Sequence, residues 1–331
     1  MPNKLKLVSL FSGAGGLDLG FHKAGFETIW ANEFDKNIWE TFKHNFPTTF
    51  LDQRNICKIS NDEVPNCDGI IGGPPCQSWS EAGAGRGLND QRGKVFFEYI
   101  RILKAKKPLF FLAENVGGIL LPKHQEAFNR ILDEFQKLEY NVSYFLLNAH
   151  DYGVAQDRKR VIIVGYHQKL NKTFTPPKPL LSRPNLQEII ADLPEAKPAL
   201  DKNYANKSED LLFANHEYFV GGFSSIFMSR NRVRNWNEPS FTIQAGARHA
   251  PIHPQAPKMQ FIEQNKRAFQ ANKEHLYRRL SVRECARIQS FPDDFIFKYK
   301  NVGDGYKMIG NAVAVDFAKA IACKIYEDIS V

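Results

Sequence analysis

Leu7-Val-Ser-Leu-Phe-Ser-Gly-Ala-Gly-Gly-Leu-Asp-Leu-Gly-Phe21 reads as a buried strand, a glycine-rich turn and the start of a helix. The apolar run is too short for a helix of its own and is cut by glycines, which let the backbone approach a ligand closely at a helix N-terminus. A strand that feeds a helix in this way is the opening unit of a parallel sheet with crossover helices. The turn lacks the G-x-x-x-x-G-K-[ST] form, which disfavours a nucleoside triphosphate. A second strand ends in Trp30-Ala-Asn-Glu33-Phe34, a carboxylate about 20 residues on, where a doubly wound fold binds ribose hydroxyls. A tight turn and a solvated strand-end glutamate are the plain structural readings of the same residues. Taken together, turn and carboxylate indicate an adenosine-containing cofactor, and leave a dinucleotide and S-adenosylmethionine both open.

Working outward, short apolar runs at 5–11, 27–31, 69–71, 109–113, 142–148 and 161–166 alternate with helical stretches at 16–24, 36–45, 94–104 and 123–138. This predicts an α/β fold, Rossmann-like, with a mostly parallel sheet flanked by helices. From about 167 the texture changes. Thr175-Pro-Pro-Lys-Pro, Ser182-Arg-Pro and Asp192-Leu-Pro-Glu-Ala-Lys-Pro mark a domain junction, and 168–278 is irregular, basic and aromatic without an internal repeat. Helical order returns at Ser281, which forms a capping-box pattern with Glu284. A last apolar helix over 316–326 is expected to pack on the first sheet. The expected division is a catalytic and cofactor-binding domain, 1–167 plus 279–331, and a smaller irregular or β domain, 168–278.

A chain of 331 residues exceeds one ordinary core, and 43% hydrophobic residues suffice for packed structure. Lys and Arg number 44 against 36 acidic residues, and the net charge of +8 favours a polyanionic partner. Five cysteines, at 57, 67, 76, 285 and 323, are odd in number and irregular in spacing, which argues against a disulfide framework and fits a reducing compartment. No CxxC pair or His cluster suggests a metal. With no signal peptide and no apolar run long enough to span a bilayer, a soluble cytoplasmic protein is expected.

Asp68-Gly-Ile-Ile-Gly-Gly-Pro-Pro-Cys-Gln-Ser-Trp-Ser80 carries the chemistry. A lone cysteine is more often a small buried hydrophobe. Here two prolines deny the segment a ladder donor and a helix start, so Cys76 is expected in a shaped loop at the sheet edge, as a nucleophile would be mounted.

Phe11-Ser-Gly-Ala-Gly-Gly, Gly73-Pro-Pro-Cys-Gln77, Glu114-Asn-Val116, Gln156-Asp-Arg-Lys-Arg160, Arg279-Leu-Ser-Val-Arg-Glu-Cys-Ala-Arg-Ile-Gln-Ser-Phe-Pro292 and Gly310-Asn-Ala-Val313 occur in that order. In this the chain resembles the DNA (cytosine-5)-methyltransferases over residues 7–315. It is most similar to the GGCC-modifying enzymes of HaeIII-type restriction-modification systems, through Asn215-His-Glu-Tyr-Phe219 and Met228-Ser-Arg-Asn-Arg-Val-Arg-Asn-Trp-Asn-Glu-Pro239. The resemblance implies S-adenosylmethionine as cofactor, S-adenosylhomocysteine as product and no metal. It implies double-stranded DNA as partner, bound by a monomer, and a cognate restriction endonuclease acting on the same site. It assigns Cys76 as the nucleophile that adds to cytosine C6, because C5 alone is too weak a nucleophile. Glu114 is the carboxyl group that serves N3 and, ending an apolar strand, is expected to have a raised pKa. Arg158 and Arg160 are the pair that holds the flipped base and its phosphates and favours the thiolate; a solvated charge run is their plain reading. Gln156 and Ser80 shape the backbone around the target.

The cofactor contacts implied are Phe11, Gly13, Gly15, Leu17, Glu33, Phe34, Asn55, Ile56, Pro75, Val95 and Asn311. Two positions depart from the family pattern. Asn55 stands where the family has an aspartate for the adenine amino group, with Asp52 as a substitute, and Ala314 replaces a turn-stiffening proline. Arg230, Arg232 and Arg248 are the expected base readers, since arginine donates two bonds to the O6 and N7 edge of guanine; a phosphate contact is the alternative for each. A tRNA-acting enzyme of the same fold and a catalytically silent DNA-binding homologue are the alternative functions.

Overall fold

The apolar run before the glycine turn becomes the pivot of a sheet. β1 (Lys6–Leu10) pairs in parallel with β2 (Glu27–Asn32) on one side. A strand hydrogen-bonded along both edges and covered on both faces must be apolar nearly throughout, and four of its five residues are buried. The computed structural model describes residues 4–75 and 91–330, less the side chains of 91–94. In chain order the remaining strands of this sheet are β3 (Phe50–Asp52), β4 (Gly69–Gly72), β5 (Phe110–Val116), β6 (Tyr140–Asn148) and β7 (Lys159–His167). Their order across the sheet is β3-β2-β1-β4-β5-β7-β6.

The order reverses beside β1: the chain moves outward to β2 and β3, then returns to lay β4 on the other edge of β1. In open α/β sheets a ligand crevice lies outside the carboxyl ends of the strands at such a reversal. The sheet is parallel from β3 to β5, as the alternating pattern predicts. β7, however, inserts antiparallel between β5 and β6. The stretch between β6 and β7 contains no crossover α-helix, and without one a parallel return is not available. β3, three residues long, escapes a periodicity reading altogether.

Helices α1 (Gly16–Lys23), α2 (Trp39–Asn45), α3 (Gln91–Lys106) and α4 (Gln125–Gln136) connect these strands. Phe111 of β5 stacks on Phe135 of α4 at 4.4 Å and meets Tyr140 edge-on at 5.2 Å. Phe96 of α3 joins the same cluster at 6.0 Å from Phe135. The C-terminal helix (Val315–Ile329) returns to this sheet, with Tyr326 edge-on to Phe26 at 5.4 Å and Asp328 accepting from the Tyr166 hydroxyl at 2.9 Å.

By contact the chain divides into two compact units, 1–148 with 159–179 and 317–331, and 149–158 with 180–316. Residues 279–316 thus group by contact with the second unit. The reason lies in the capping box. Ser281 accepts from the Glu284 N–H and Glu284 from the Ser281 N–H, while His216 bonds the Ser281 hydroxyl at 2.9 Å. α6 (Val282–Ile288) is tied to the irregular region through Arg283, which donates to the carbonyls of Ala214, Pro292 and Phe295.

The second unit also holds α5 (Leu186–Ile190), α7 (Val302–Asn311), the pairs β8 (Lys197–Pro198) with β9 (Glu217–Tyr218), and the hairpin of β10 (Gln260–Glu263) with β11 (Lys266–Ala268). Its small core contains Phe227, Val233, Ile252, Met259 and Tyr277. Among the described residues no helix is long and apolar enough to cross a membrane.

Candidate functional site

The glycine turn closes onto the carboxylate predicted to serve it. Gly13 and Gly15 take φ of +55° and +88°, values that favour glycine, and a Cβ on Gly15 would lie 2.2 Å from the Phe46 ring. Beyond Gly13 a Cβ would meet nothing within 4 Å, so the backbone there faces open space. The Gly13 N–H donates to Glu33 Oε2 at 2.9 Å, and the Asp35 N–H to Oε1 at 2.7 Å. Burial raises the Glu33 pKa, while the bonds from Asp35 and Gly13 pull it back. Beside it Phe34 is 65% exposed, an aromatic face open to a ligand. Leu17 is buried in α1, and Phe11 holds a positive φ of 55° at the end of β1. Turn, carboxylate and exposed ring fit an adenosine: backbone close to the ligand, an acceptor for hydroxyls, a surface for stacking.

The next strand end outward is less like the expectation. Asp52 is buried and engaged by the Arg54 guanidinium through Nε at 3.0 Å and Nη2 at 2.7 Å. Burial raises its pKa, but the Arg54 bonds outweigh this and hold it below the usual carboxylate range. An aspartate so occupied is a poor substitute for an adenine ligand. Asn55 caps the short turn at Ile56–Lys58, its Oδ1 accepting from the Cys57 N–H at 3.0 Å. Ile56 is buried in the main core, where Val95 and Phe11 pack against it.

On the other side of the reversal, β4 leads into Pro74 and Pro75. Cys76, Gln77 and Ser80 lie outside the described residues. Pro75 is exposed. Two side chains not singled out from sequence anchor the approach to Cys76. Asn115 Nδ2 donates to the Pro74 carbonyl at 3.1 Å, and the Tyr99 hydroxyl spans the Ile70 and Leu112 carbonyls at 3.1 and 2.9 Å. Asn115 stands in the Glu114-Asn-Val motif and was legible as a motif member; Tyr99, inside an amphipathic helix, carried no signal. Glu114, at the end of β5, pairs with Arg160 of β7, Nε to Oε1, at 2.9 Å, each side chain 11% exposed. Burial lowers the Arg160 pKa and Glu114 partly restores it. The desolvation expected at Glu114 is thus answered by a buried cation, placed by the antiparallel pairing of β5 with β7. A Cβ on Gly73 would stand 3.3 Å from Glu114 Oε2, so the turn before Cys76 and the carboxyl group are close neighbours.

The second unit gives Arg158 a different position from the one expected. It is 1% exposed and donates through Nη1 to Ile243 O at 3.1 Å and through Nη2 to Gly310 O and Ala312 O at 2.8 and 2.9 Å. A guanidinium buried on three carbonyls clamps the backbone there. Gln156 is likewise fully buried and accepts from the Ile243 N–H at 2.9 Å, which fits shaping of the backbone. Asn311, at the end of α7, is exposed. Of the three arginines expected to read bases, Arg230 and Arg248 are exposed. Arg232 instead donates to Phe227 O at 2.9 Å and Ile226 O at 3.0 Å and lies over the Phe227 ring at 5.0 Å. Arg279 was quoted only as part of a motif. It is 2% exposed, donates to the Gly221 and Gly222 carbonyls at 2.9 and 2.8 Å, and stacks on Phe223 at 4.1 Å. Burial pushes its pKa down to about 10. Among the described residues no group of three or more His, Cys, Asp or Glu could hold a metal ion.

Residues 5–327 match the family described as C-5 cytosine-specific DNA methylase. The chain is 56% identical over 330 residues to the Type II methyltransferase M.FnuDI of Fusobacterium nucleatum, covering 98% of this chain and 95% of the relative. It is 55% identical over 325 residues to the Type II methyltransferase M.MthTI of Methanothermobacter thermautotrophicus, covering 98% of each. Among solved structures, DNMT2 of Spodoptera frugiperda shares 20% identity with a TM-score of 0.70, covering 99% of this chain and all of that one, a likeness of fold.

Proposed function

The chain belongs to the C-5 cytosine-specific DNA methylase family, and from that premise we propose that it methylates C5 of a cytosine within GGCC, as the modification enzyme of a restriction-modification system. The observation that carries the reading is the Glu114–Arg160 pair at the end of β5, beside a turn that Asn115 holds on its way to Cys76. S-adenosylmethionine, when bound, supplies an electrophilic methyl group; Gly13, Gly15, Glu33, Phe34, Asn55, Ile56, Pro75, Val95 and Asn311 would hold it.

The protein's residues do the rest. The Cys76 thiolate adds to C6 of a cytosine flipped out of the duplex, breaking the C5–C6 double bond and sending its electrons toward N3. Glu114 donates or shares a proton at N3 and so relieves that charge. Arg160 holds Glu114 in place and contributes positive charge where negative charge develops. C5, now enamine-like, takes the methyl group. Loss of the C5 proton to a base then re-forms the double bond and expels the thiolate. Residues 168–278 form the target-recognition region, with Arg230 and Arg248 reading guanine edges, or holding phosphates, and Arg232 supporting their loop. Arg158 acts by holding backbone together rather than by touching the base.

Duplex DNA carrying 5-fluorocytosine in GGCC tests the chemistry, because C5 then has no removable proton and the enzyme cannot leave. A covalent complex that survives denaturation and disappears in Cys76→Ser is expected. No Cys76-dependent adduct on any such duplex, with S-adenosylhomocysteine still bound normally, would show the mechanism to be wrong. Bisulfite sequencing of plasmid methylated by the purified protein reads site and position; modification outside GGCC would overturn the assigned site.

A further inference from the structure

The loop that follows β9 is held from behind, and what it shows to solvent follows from that. The Phe219 N–H donates to the Tyr306 hydroxyl at 3.3 Å. Asn203 brackets Val220, Oδ1 accepting from its N–H at 2.6 Å and Nδ2 donating to its carbonyl at 2.8 Å. The next two carbonyls, of Gly221 and Gly222, turn to a single guanidinium and accept from Nη1 and Nη2 of Arg279. The peptide bonds of the described residues are all trans, so each N–H points opposite to the carbonyl of its own peptide unit. Two successive carbonyls on Arg279 therefore leave the N–H groups of Gly222 and Phe223 side by side, pointing away from it. Arg279 is buried, Gly221 and Gly222 are exposed, and a Cβ on Gly222 would meet nothing within 4 Å. Neither N–H has a hydrogen-bond partner among the described residues. Successive N–H groups that face one way form a nest, a concavity that takes an anion oxygen. The charge behind them points the same way. Arg279 lies against the rings of Phe219, Phe223 and Phe227, its Nε donates to the Arg248 carbonyl, and among the described residues no carboxylate pairs with it. A buried cation without a counter-ion is costly. An anion on the two N–H groups would lie one peptide layer from it and lower that cost.

We propose that the N–H groups of Gly222 and Phe223 bind a phosphodiester of the DNA duplex, with Arg279 as the positioning residue that turns them outward. The inference rests on the DNA-binding reading given above. It adds to Arg230 and Arg248 a phosphate contact made by backbone alone, which fixes the register of the protein on the duplex without reading a base. Gly222→Pro removes one of the two N–H groups and keeps the Gly221 carbonyl for Arg279. Arg279→Lys keeps the charge but loses the planar fork that holds both carbonyls.

Fluorescence anisotropy with the full chain, on GGCC duplexes that carry a single uncharged methylphosphonate linkage at successive positions, tests this. Among the linkages that matter to wild type, one is expected to cost about tenfold in Kd and to cost nothing further in Gly222→Pro or Arg279→Lys. Both variants are expected to bind the native duplex about tenfold more weakly and to keep the wild-type sensitivity at the other linkages. Sensitivity unchanged at every linkage in both variants overturns the inference. Wild type labelled with 15N-glycine and 15N-phenylalanine reads the same contact without a substitution. The Gly222 and Phe223 amide protons are expected to move downfield on saturation with native duplex, and not with the duplex neutralised at that linkage. Amide protons that stay in place on native duplex overturn the inference. If wild type binds no duplex and forms no adduct with 5-fluorocytosine, the DNA-binding reading itself fails and the inference falls with it.

Discussion

The two units solve the same problem by opposite means. In the first, strand ladders satisfy the backbone, and the ends of β1, β2, β4 and β5 can present a glycine turn, a carboxylate, a proline turn and a glutamate. In the second there is little ladder, and arginines take over the backbone: Arg158, Arg279 and Arg283 are each at most 2% exposed and donate to carbonyls of irregular chain. Buried carbonyls need partners whatever the fold. Arg158 and Arg160, two residues apart in one motif, fall on either side of this divide. One is a clamp, the other pairs with Glu114 at the end of β5. The difference teaches that a basic motif carries no single meaning, because an arginine's role depends on whether nearby backbone already has its bonds.

The sharpest way to break the comparison is to exchange the two. Arg158→Ala strands three carbonyls in the interior and is expected to lower stability by about 3–5 kcal/mol, read as a denaturation midpoint. Arg160→Ala leaves Glu114 to take up a proton in place of its cation, and is expected to shift that midpoint by less, about 1–2 kcal/mol, while reducing kcat by about a hundredfold. Equal stability losses would erase the distinction between clamp and site residue.

Within the first unit, Asp18 of α1 is fully buried, accepts from the Thr28 hydroxyl at 3.1 Å, and is pushed by burial up to about 6. Its folded pKa lies above its unfolded one, so ionisation disfavours the fold. The penalty is absent below about pH 4, grows between pH 4 and 6, and is complete above, reaching about 2–3 kcal/mol. Asp18→Asn should therefore be more stable than wild type at pH 7.5 and no different at pH 3.5, measured by urea melts at both. A constant difference would place its origin in packing instead.

Smaller effects separate exposed arginines from buried ones in the second unit. Arg248→Ala is expected to relax discrimination at one base pair by about 1–3 kcal/mol, measured by competition between GGCC and single-substituted duplexes. A uniform loss across sequences would mark a phosphate contact. Ser281→Ala removes one side of the capping box and is expected to cost about 1 kcal/mol of stability; the same variant should leave base discrimination unchanged.

Much of the site in the first unit was legible in the order of residues, because its parts are local. Gly13 and Gly15 show themselves as a turn, Glu33 follows at the spacing one βαβ step imposes, and Pro74-Pro75 announces a shaped loop before Cys76. The three-residue strand β3 was invisible because periodicity needs more residues, and the antiparallel β7 because local pattern does not encode direction. The partners of Arg158 were not legible because they lie far along the chain: it bonds Gly310 across 152 residues. No composition or spacing predicts such a bond.

By itself the sequence determined the fold class, the family, and the residue types that the chemistry requires, since these rest on short-range pattern and on motifs that keep their order. Tertiary structure alone decided which charges act. Pairing β5 with β7 brought Arg160 to Glu114, the Cys57 N–H engaged the Asn55 side chain, and Arg54 engaged the Asp52 carboxylate. The physical reason is the same in each case. A charged or amide group is defined by the partner that satisfies it, and that partner is set by packing.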